Sequence, residues 1–173
     1  VLPVDQHFNV KGIGLVAIGY VQSGRVSVHD EVLLLPANGT GNAKSLQVMD
    51  DDVEVASAGD RVGLALRNAK EDHLTGGTII VHPPIEDKRA NLSVPLAVDQ
   101  HHRSSLQLST SPFQKRVLAA GDVIHASVDL QFVVGRIKDV SGDAVIVEWD
   151  QPLFIRKERP PSVLIAQLDS KPR

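Results

Sequence analysis

The stretch Gly14-Leu-Val-Ala-Ile-Gly-Tyr-Val21 is a short apolar run bounded by turn residues. Three further runs share this character and are Glu31-Val-Leu-Leu-Leu35, Arg61-Val-Gly-Leu-Ala-Leu-Arg67 and Ala144-Val-Ile-Val-Glu-Trp149. Runs of this length and composition are typical of β-strands, because branched side chains pack well on a pleated sheet. They predict an all-β fold.

Turn residues separate these runs at intervals that suit hairpins. They are Ser23-Gly24, Asn38-Gly39, Ala58-Gly59-Asp60 and Ser141-Gly142-Asp143. No window of a dozen residues has a convincing 3.6-residue period, and at most one helical turn is expected, at Lys70–Leu74. Many short strands with regular turns favour closed barrels or sandwiches, since closure removes exposed sheet edges.

A proline-containing charged segment divides the chain into two halves. The two prolines of His82-Pro-Pro-Ile-Glu-Asp-Lys-Arg89 cannot donate to a sheet, and the charges after them have no apolar rhythm. Strand-like sequence begins again at Leu92. We expect a first domain at residues 1–84, a linker at 85–90 and a second domain at 91–173.

Composition excludes several classes of protein. The chain has no cysteine, which rules out disulfides, thiolate metal sites and thiol nucleophiles. No run approaches 18 apolar residues, and the first residues lack the pattern of a signal peptide. We expect a soluble, cytoplasmic chain.

The net charge of −3 provides no global attraction for nucleic acid. The charge is unevenly distributed: 8 basic and 12 acidic residues precede Ala90, and 10 basic and 9 acidic residues follow from it. An RNA ligand would therefore have to meet local patches, for which the second half is the better host.

Motifs for nucleotide or metal chemistry are absent from the sequence. There is no phosphate-binding loop, and Gly12-Ile-Gly14 is no dinucleotide motif, because Ala17 stands where a third glycine is needed. His101-His102 lacks further ligands at suitable spacing and is interpreted as part of a loop. We expect no metal site and no catalytic residue.

An ordered series of motifs resembles the second domain of the elongation factor Tu superfamily. The series runs Val4-Asp-Gln-His-Phe8, Val10-Lys-Gly-Ile-Gly14, Gly19-Tyr-Val-Gln-Ser-Gly24, His29-Asp-Glu-Val-Leu33, Ser45-Leu-Gln-Val48 and Ala58-Gly-Asp-Arg-Val-Gly63 before Ala65-Leu-Arg67. The Lys-Gly-x-Gly turn and the Ser-Leu-Gln strand are nearest to the selenocysteine-specific, SelB-like branch.

The second half is similar to the family's third domain in fewer places. The matching segments are Asn91–Val98, Gly121-Asp-Val-Ile-His125, Phe154-Ile-Arg156 and Ala166-Gln-Leu168, whereas residues 99–116 fit poorly. The resemblance implies two consecutive small antiparallel β-barrels, a translation-factor domain 2 barrel followed by a domain 3 barrel.

In the family, the second domain holds the aminoacyl end of a charged tRNA, and the matching residues here are Asp5, Phe8 and Arg67. A carboxylate accepts from the aminoacyl ammonium or ribose, a ring stacks on the terminal adenine, and arginine donates to phosphate or carbonyl oxygens. Alternative roles are open for each: a turn-stabilising carboxylate for Asp5, a core aromatic for Phe8 and a solvated strand end for Arg67.

The sequence departs from the family beside Asp5. Elongation factor Tu has two adjacent acids there, whereas Gln6 and His7 follow Asp5 in this chain. The loss of one negative charge would alter the preference for the amino group or the side chain carried. His7 is interpreted as a histidine in a surface turn, with a role as a donor to an unusual aminoacyl group as the alternative.

The family's third domain grips the tRNA backbone. The matching segment is Ile155–Arg159 followed by two prolines, interpreted as a hairpin between the last two strands, in which Arg156, Lys157 and Arg159 would contact phosphate or ribose. Lys115-Arg116 form a second small basic cluster. Either group is alternatively a solvated loop.

The resemblance implies the aminoacyl-tRNA-binding part of a GTP-dependent factor that carries tRNA to the ribosome. The family binds GTP and Mg²⁺ in its first domain, so this chain alone is expected to be no enzyme and to hold no cofactor. Its partners would be aminoacyl-tRNA, the ribosome and its own GTPase domain, without membrane or DNA. The alternative is a two-barrel interaction module that binds protein or ribosome without tRNA delivery.

Overall fold

A computed structural model describes residues 1–109 and 118–168 of the chain. Strands dominate these residues, and their only helical element is a single 3-10 turn at Glu71–His73. The predicted all-β fold and the single helical turn are therefore confirmed. None of the described residues belongs to a helix long and apolar enough to cross a membrane. The cluster Lys115-Arg116 lies outside the described residues.

The chain divides into two compact units. The first comprises Val1–Asp99 with the short segments Asp129–Gln131 and Arg156–Pro160, and the second comprises the remainder. Each unit is assembled from separate segments, so no single position in the sequence divides the chain into the two units. The predicted domain boundaries stay a prediction.

The strands of the first unit are short and follow the apolar runs. They are β1 (Leu2–Val10), β2 (Gly14–Tyr20), β3 (Arg25–Ser27), β4 (Glu31–Leu35), β5 (Gly39–Val48), β6 (Asp51–Val53), β7 (Val55–Ser57), β8 (Arg61–Arg67), β9 (Ile79–Val81), β10 (Ile85–Asp87) and β11 (Leu92–Val94). β4 and β8 coincide with the runs identified in the sequence.

Six of these strands close into a barrel. Their order is β4-β9-β1-β2-β8-β5, and β5 pairs again with β4, so that β4 has a partner on both sides. β6 extends the sheet beyond β5, and β3 pairs with β7 in a separate two-stranded sheet. The strands of the barrel, β6 and the β3–β7 pair all run antiparallel to their partners.

Alternation along the strands sends aliphatic side chains into the barrel. The buried cluster includes Leu2, Val4, Leu15, Ala17, Val32, Leu34, Ala43, Leu46, Val62, Leu64 and Leu66. Each large aliphatic residue of this kind stabilises the fold by roughly 1.5–3 kcal/mol through burial. The residues between them face outward, at every second position of β2 and β8, whereas register shifts interrupt the alternation in β1 and β5.

The predicted linker is partly a hairpin. β10 pairs with β11 in register Ile85↔Val94 and Asp87↔Leu92, and Asp87 accepts hydrogen bonds from the amides of Arg89 and Ala90 in the turn. The charged residues there are those of a two-stranded turn, where a side-chain carboxylate replaces missing backbone partners.

A second sheet, to which most of the second unit belongs, has five strands. They are β12 (Val98–Gln107), β13 (Val123–Val128), β14 (Gln131–Ser141), β15 (Ala144–Arg156) and β16 (Leu164–Ala166), in the order β12-β15-β14-β13-β16. His101-His102 lies within β12, so its interpretation as a loop was wrong. The polar pair sits in a strand because alternate neighbours such as Leu106 pack against the core.

The core of the second unit is built around Trp149. Its indole lies beside Gly135 on the paired strand β14, and its Nε1 donates to the Ser104 hydroxyl at 2.8 Å. Gly135 leaves the space that the indole fills, because a Cβ at this position would lie 2.5 Å from Trp149 Cε3.

The segment after β15 is not the expected hairpin. β15 pairs with β12 and β14, whereas β16 pairs with β13, so the last two strands are not neighbours. The reason is that Pro160 and Pro161 lack the amide hydrogens needed to continue a ladder beside β15. Arg156 ends β15, and Lys157–Arg159 form a bend.

We expect Gly135→Ala to lower the free energy of unfolding by about 1–3 kcal/mol, because the added methyl overpacks the core against Trp149. Gly63→Ala is the matched control, since its Cβ would meet nothing closer than Gln47 Cβ at 3.9 Å. Calorimetry of both variants measures the difference. Equal stabilities of the two variants would contradict this account of the core.

Candidate functional site

Phe8 lies on the outer face of the first barrel. It pairs with Val16 on β2, which in turn pairs with Ala65 on β8, so the three side chains form one row across three strands. Their neighbours Leu15 and Ala17 belong to the buried cluster, which fixes the row as outward-facing. The Phe8 side chain is 40% exposed, so the alternative of a core aromatic is wrong.

The face beside Phe8 carries small and aliphatic residues together with one amide side chain. The next row along the strands contains Gln6, Ile18 and Gly63, and Gly63 has no side chain to rise above the sheet. Ala65 is buried although it faces outward. An exposed ring beside such a floor provides a face on which a nucleobase can stack.

Arg67 is the last residue of β8 and is exposed on this barrel. Its Nη2 lies 3.2 Å from Nδ1 of His29. Because a guanidinium only donates, Nδ1 of His29 must be the acceptor and the imidazole must carry its proton on Nε2. Arg67 is therefore exposed, as in the alternative of a solvated strand end, but its side chain has a hydrogen-bond partner in His29.

Phe8 and Arg67 lie on the same outer face of the barrel, but β2 separates their strands. Ala65 stands in the row of Phe8, and Arg67 is two residues farther along β8. With strands about 4.8 Å apart and a rise of about 3.4 Å per residue, their Cα atoms are roughly 12 Å apart. This separation is between backbone positions, and the long side chain of Arg67 can reach part of the way along the face toward Phe8.

Asp5 lies at a bulge in β1. The register shifts between the pairs Val4↔Gly19 and Gln6↔Ile18, which leaves Asp5 as the extra residue, and its side chain is exposed. A bulge re-aims the side chain that it contains. Phe8 follows three residues later on the same strand, roughly 10 Å away along the chain.

His7 is not in a surface turn, so that interpretation was wrong. It lies inside β1 opposite Ala17, which belongs to the buried cluster, and it is half-buried. The bulge at Asp5 shifts the alternation by one residue, and this shift turns His7 away from the face that carries Phe8.

The turn that carries His29 is held by Asp30. One Asp30 carboxylate oxygen accepts from the Ser27 amide at 2.8 Å and lies 2.9 Å from His82 Nε2. Burial acts to raise the pKa of this carboxyl, but the hydrogen bonds from His82 and Ser27, with the charges of His82 and Arg25, outweigh it and lower the pKa below the usual 3.8. The ionised carboxylate therefore stabilises the turn.

The three predicted tRNA-backbone cations have different surroundings. Arg156 Nε donates to Asp129 at 2.9 Å, and the two side chains are only 14% and 7% exposed. Lys157 Nζ lies 3.4 Å from a carboxylate oxygen of Asp99, with both side chains exposed. Arg159 is exposed with a φ of 49°. Lys157 and Arg159 are thus accessible, whereas Arg156 is committed to an ion pair.

Sequence reasoning missed His29 and Asp30. The matching motif contains both residues, but nothing in its letters indicates that the imidazole reaches a strand end 38 positions away. Within the described residues no group of three or more His, Cys, Asp or Glu is arranged to hold a metal ion.

Comparison with known proteins identifies relatives of this chain. Residues 14–81 match the family described as elongation factor Tu domain 2. The selenocysteine-specific elongation factor of Methanocaldococcus jannaschii is 40% identical over 79 residues, which are 46% of this chain and 17% of that protein. The uncharacterized protein MJ0325 of the same organism is 29% identical over 144 residues, 83% of this chain and 42% of that protein.

The fold is also similar to a solved structure. The apo form of translation elongation factor SelB from Methanococcus maripaludis matches with a TM-score of 0.77 at 23% identity, over 99% of this chain and 38% of that one. The chain spans less than half the length of each of these relatives. The predicted family resemblance is confirmed.

We expect Asp30→Asn to lower the free energy of unfolding at pH 7 by less than about 1 kcal/mol, because the pair with His82 is solvent-accessible. Since the folded state lowers the pKa of Asp30, its contribution is complete above the unfolded value and is lost as the pH falls through the folded one. Urea unfolding of wild type and variant should therefore converge in acid.

Asp60→Asn provides the matched control. Asp60 accepts from the Ser57 amide at 2.8 Å, three residues before it, as Asp30 accepts from Ser27. Asp60 differs in that the carboxylate of Asp30 also contacts His82. Its substitution should cost less than that of Asp30 at pH 7. A loss for Asp30→Asn that stayed constant down to acid pH would show that the carboxylate charge is irrelevant.

Proposed function

We propose, from the match of residues 14–81 to the elongation factor Tu domain 2 family, that the chain is the aminoacyl-tRNA-binding part of a SelB-like translation elongation factor. The proposal assigns the aminoacyl end of the tRNA to the outer face of the first barrel. Phe8 stacks on the terminal base, Arg67 donates to phosphate or carbonyl oxygens, and Asp5 accepts from the ammonium or ribose.

The observation that carries the proposal is the exposed ring of Phe8 beside Ala65 and Gly63, on the face that also carries Arg67. A ring that is 40% exposed offers its face to a ligand, and covering it removes apolar surface from water. Phe8 and Arg67 lie on the same outward face, two strands and two residues apart, so one ligand on this face can contact both.

The tRNA backbone has a separate proposed contact at the bend after β15. Lys157 and Arg159 are the accessible cations of this segment, and contacts of this kind position RNA without reading its sequence. Arg156 holds the segment in place through its ion pair with Asp129. Its part in tRNA binding is then to fix the bend from which the other two cations project.

The replacement of a second acid by Gln6 bears on the group carried. Gln6 lies on the outward face opposite Ile18, beside the exposed Asp5. One carboxylate instead of two leaves a weaker attraction for the aminoacyl ammonium and an amide that both donates and accepts. We assign the choice of aminoacyl group to this pair.

The remaining functions belong to the complete protein. We propose that it binds GTP and Mg²⁺ in a separate domain, delivers tRNA to the ribosome and acts in the cytoplasm. The nucleotide state would control how the GTPase domain docks on these units, and thereby the release of tRNA. This chain contributes binding surfaces and no catalytic group.

Phe8→Ala and Arg67→Ala should each weaken binding of aminoacyl-tRNA to the complete, GTP-bound protein. For Phe8→Ala, the lost stacking contact corresponds to roughly 5- to 150-fold in affinity. Protection of the aminoacyl ester from hydrolysis measures this binding directly. Lowering the ionic strength should tighten it, because phosphate contacts give a negative slope of log affinity against log salt.

Tyr20→Ala is the control for these variants. Tyr20 has the same 40% exposure as Phe8 and lies on the same barrel, but it sits at the other end of β2 beneath Arg61. Its removal should leave tRNA binding unchanged. If the complete protein protected no aminoacyl ester, or if all three variants bound equally well, the chain would be an interaction module for protein or ribosome.

A further inference from the structure

His29 has an uncommon backbone conformation for its side chain. Its φ is 76°, in the left-handed region that costs a non-glycine residue of the order of 1 kcal/mol or more. Glycine would occupy this position without that cost. The conformation aims the His29 side chain, and its contact with Arg67 gives the imidazole a role that glycine could not fill.

Two sets of hydrogen bonds hold the turn that carries the His29 imidazole. The His29 amide donates to the Ala43 carbonyl at 2.8 Å, and the Ala43 amide donates to the Asp30 carbonyl at 2.9 Å, so the turn is fastened to β5 on both sides of the bond between residues 29 and 30. Asp30 fastens the other side of the turn through Ser27 and His82.

These anchors bring His29 to the end of β8. Ala43 pairs with Leu66, and the adjacent Asn42 pairs with Arg67. A turn bonded to Ala43 therefore lies beside the last residue of β8, and Nδ1 of His29 reaches Nη2 of Arg67 at 3.2 Å. Asn42 is itself held by Asn68, whose amide donates to it at 3.0 Å.

We propose that His29 is a positioning residue that holds the guanidinium of Arg67 in the orientation that receives the tRNA. The inference rests on the proposed function of Arg67. An unrestrained arginine at an exposed strand end samples many rotamers, and ordering one such side chain on binding costs about 0.5–1.5 kcal/mol. A neutral imidazole that accepts from Nη2 removes part of this cost before the ligand arrives.

Substitutions at His29 separate the imidazole from the backbone. His29→Gly keeps the left-handed conformation and removes the acceptor, so the folded protein should be at least as stable while its affinity for aminoacyl-tRNA falls about 2- to 10-fold. His29→Asn tolerates the same φ and retains an acceptor oxygen, and it should recover part of the affinity. A purely structural role predicts the opposite, with affinity following stability.

A double-mutant cycle tests whether His29 acts through Arg67. In an Arg67→Ala background, His29→Gly should cause no further loss of affinity, because the group that it positions is gone. Asn38→Gly is the matched control, since Asn38 also has a positive φ, of 55°, in a neighbouring turn. That variant should bind tRNA like wild type. Additive losses in the cycle would overturn the proposal.

Nuclear magnetic resonance of the chain without tRNA keeps the two hypotheses distinguishable. Long-range ¹H–¹⁵N spectra should show the His29 tautomer protonated at Nε2, and the Arg67 guanidinium should be restricted in wild type and mobile in His29→Gly. A mobile Arg67 in wild type would refute positioning even if tRNA binds. A restricted Arg67 in a protein that binds no tRNA would refute the proposed function and leave the contact itself established.

Discussion

The double pairing of β4 is the constraint on which the first unit depends. β4 forms ladders with β5 on one side and β9 on the other, and this closes six strands into a ring without free edges. In a closed ring no strand can slip by one residue, because a slip would exchange the buried and exposed sides of every neighbour. Closure thereby fixes which side chains of β1, β2 and β8 face outward, and Phe8 and Arg67 are among them.

Two irregularities then modify the regular ring at the candidate site. The bulge at Asp5 turns His7 toward the barrel and lets Phe8 face outward three residues later. The left-handed turn at His29 bends the chain back onto β5 and brings an imidazole to Arg67. Each irregularity interrupts the regular strand geometry, and each orients a side chain of the candidate site. Departures from ideal geometry concentrate at functional sites for this reason.

The second unit depends on a different kind of complementarity. The only tryptophan of the chain packs where Gly135 has no side chain, and its indole nitrogen is satisfied by Ser104. In the first unit, the number of cations in a segment does not indicate which of them are accessible. Arg156, Lys157 and Arg159 look equivalent in the sequence, yet the ion pair with Asp129 buries the first and leaves the other two accessible. Accessible cations, and not their number in a segment, determine what a phosphate can reach.

The sequence by itself determined the all-β class, several strands and turns, and the family resemblance. Short branched runs between glycine turns have few alternatives to a β-barrel, which is why β4 and β8 match the predicted runs exactly in their bounds. It also indicated Asp5, Phe8 and Arg67 as a group, because a motif preserves the order of residues along the chain. It did not indicate the strand pairing of residues 144–166, where the expected hairpin is absent.

Only the tertiary structure decided how those residues are presented. Strand register decides that Phe8 is exposed and that His7 turns inward. Bonds between residues distant in sequence decide the low exposure of the Arg156 side chain and the contact between His29 and Arg67. A residue's spacing along the chain states which strand it occupies, whereas its face and its partner are set by what the neighbouring strands place beside it. The orientation of the candidate site is therefore a property of the closed barrel.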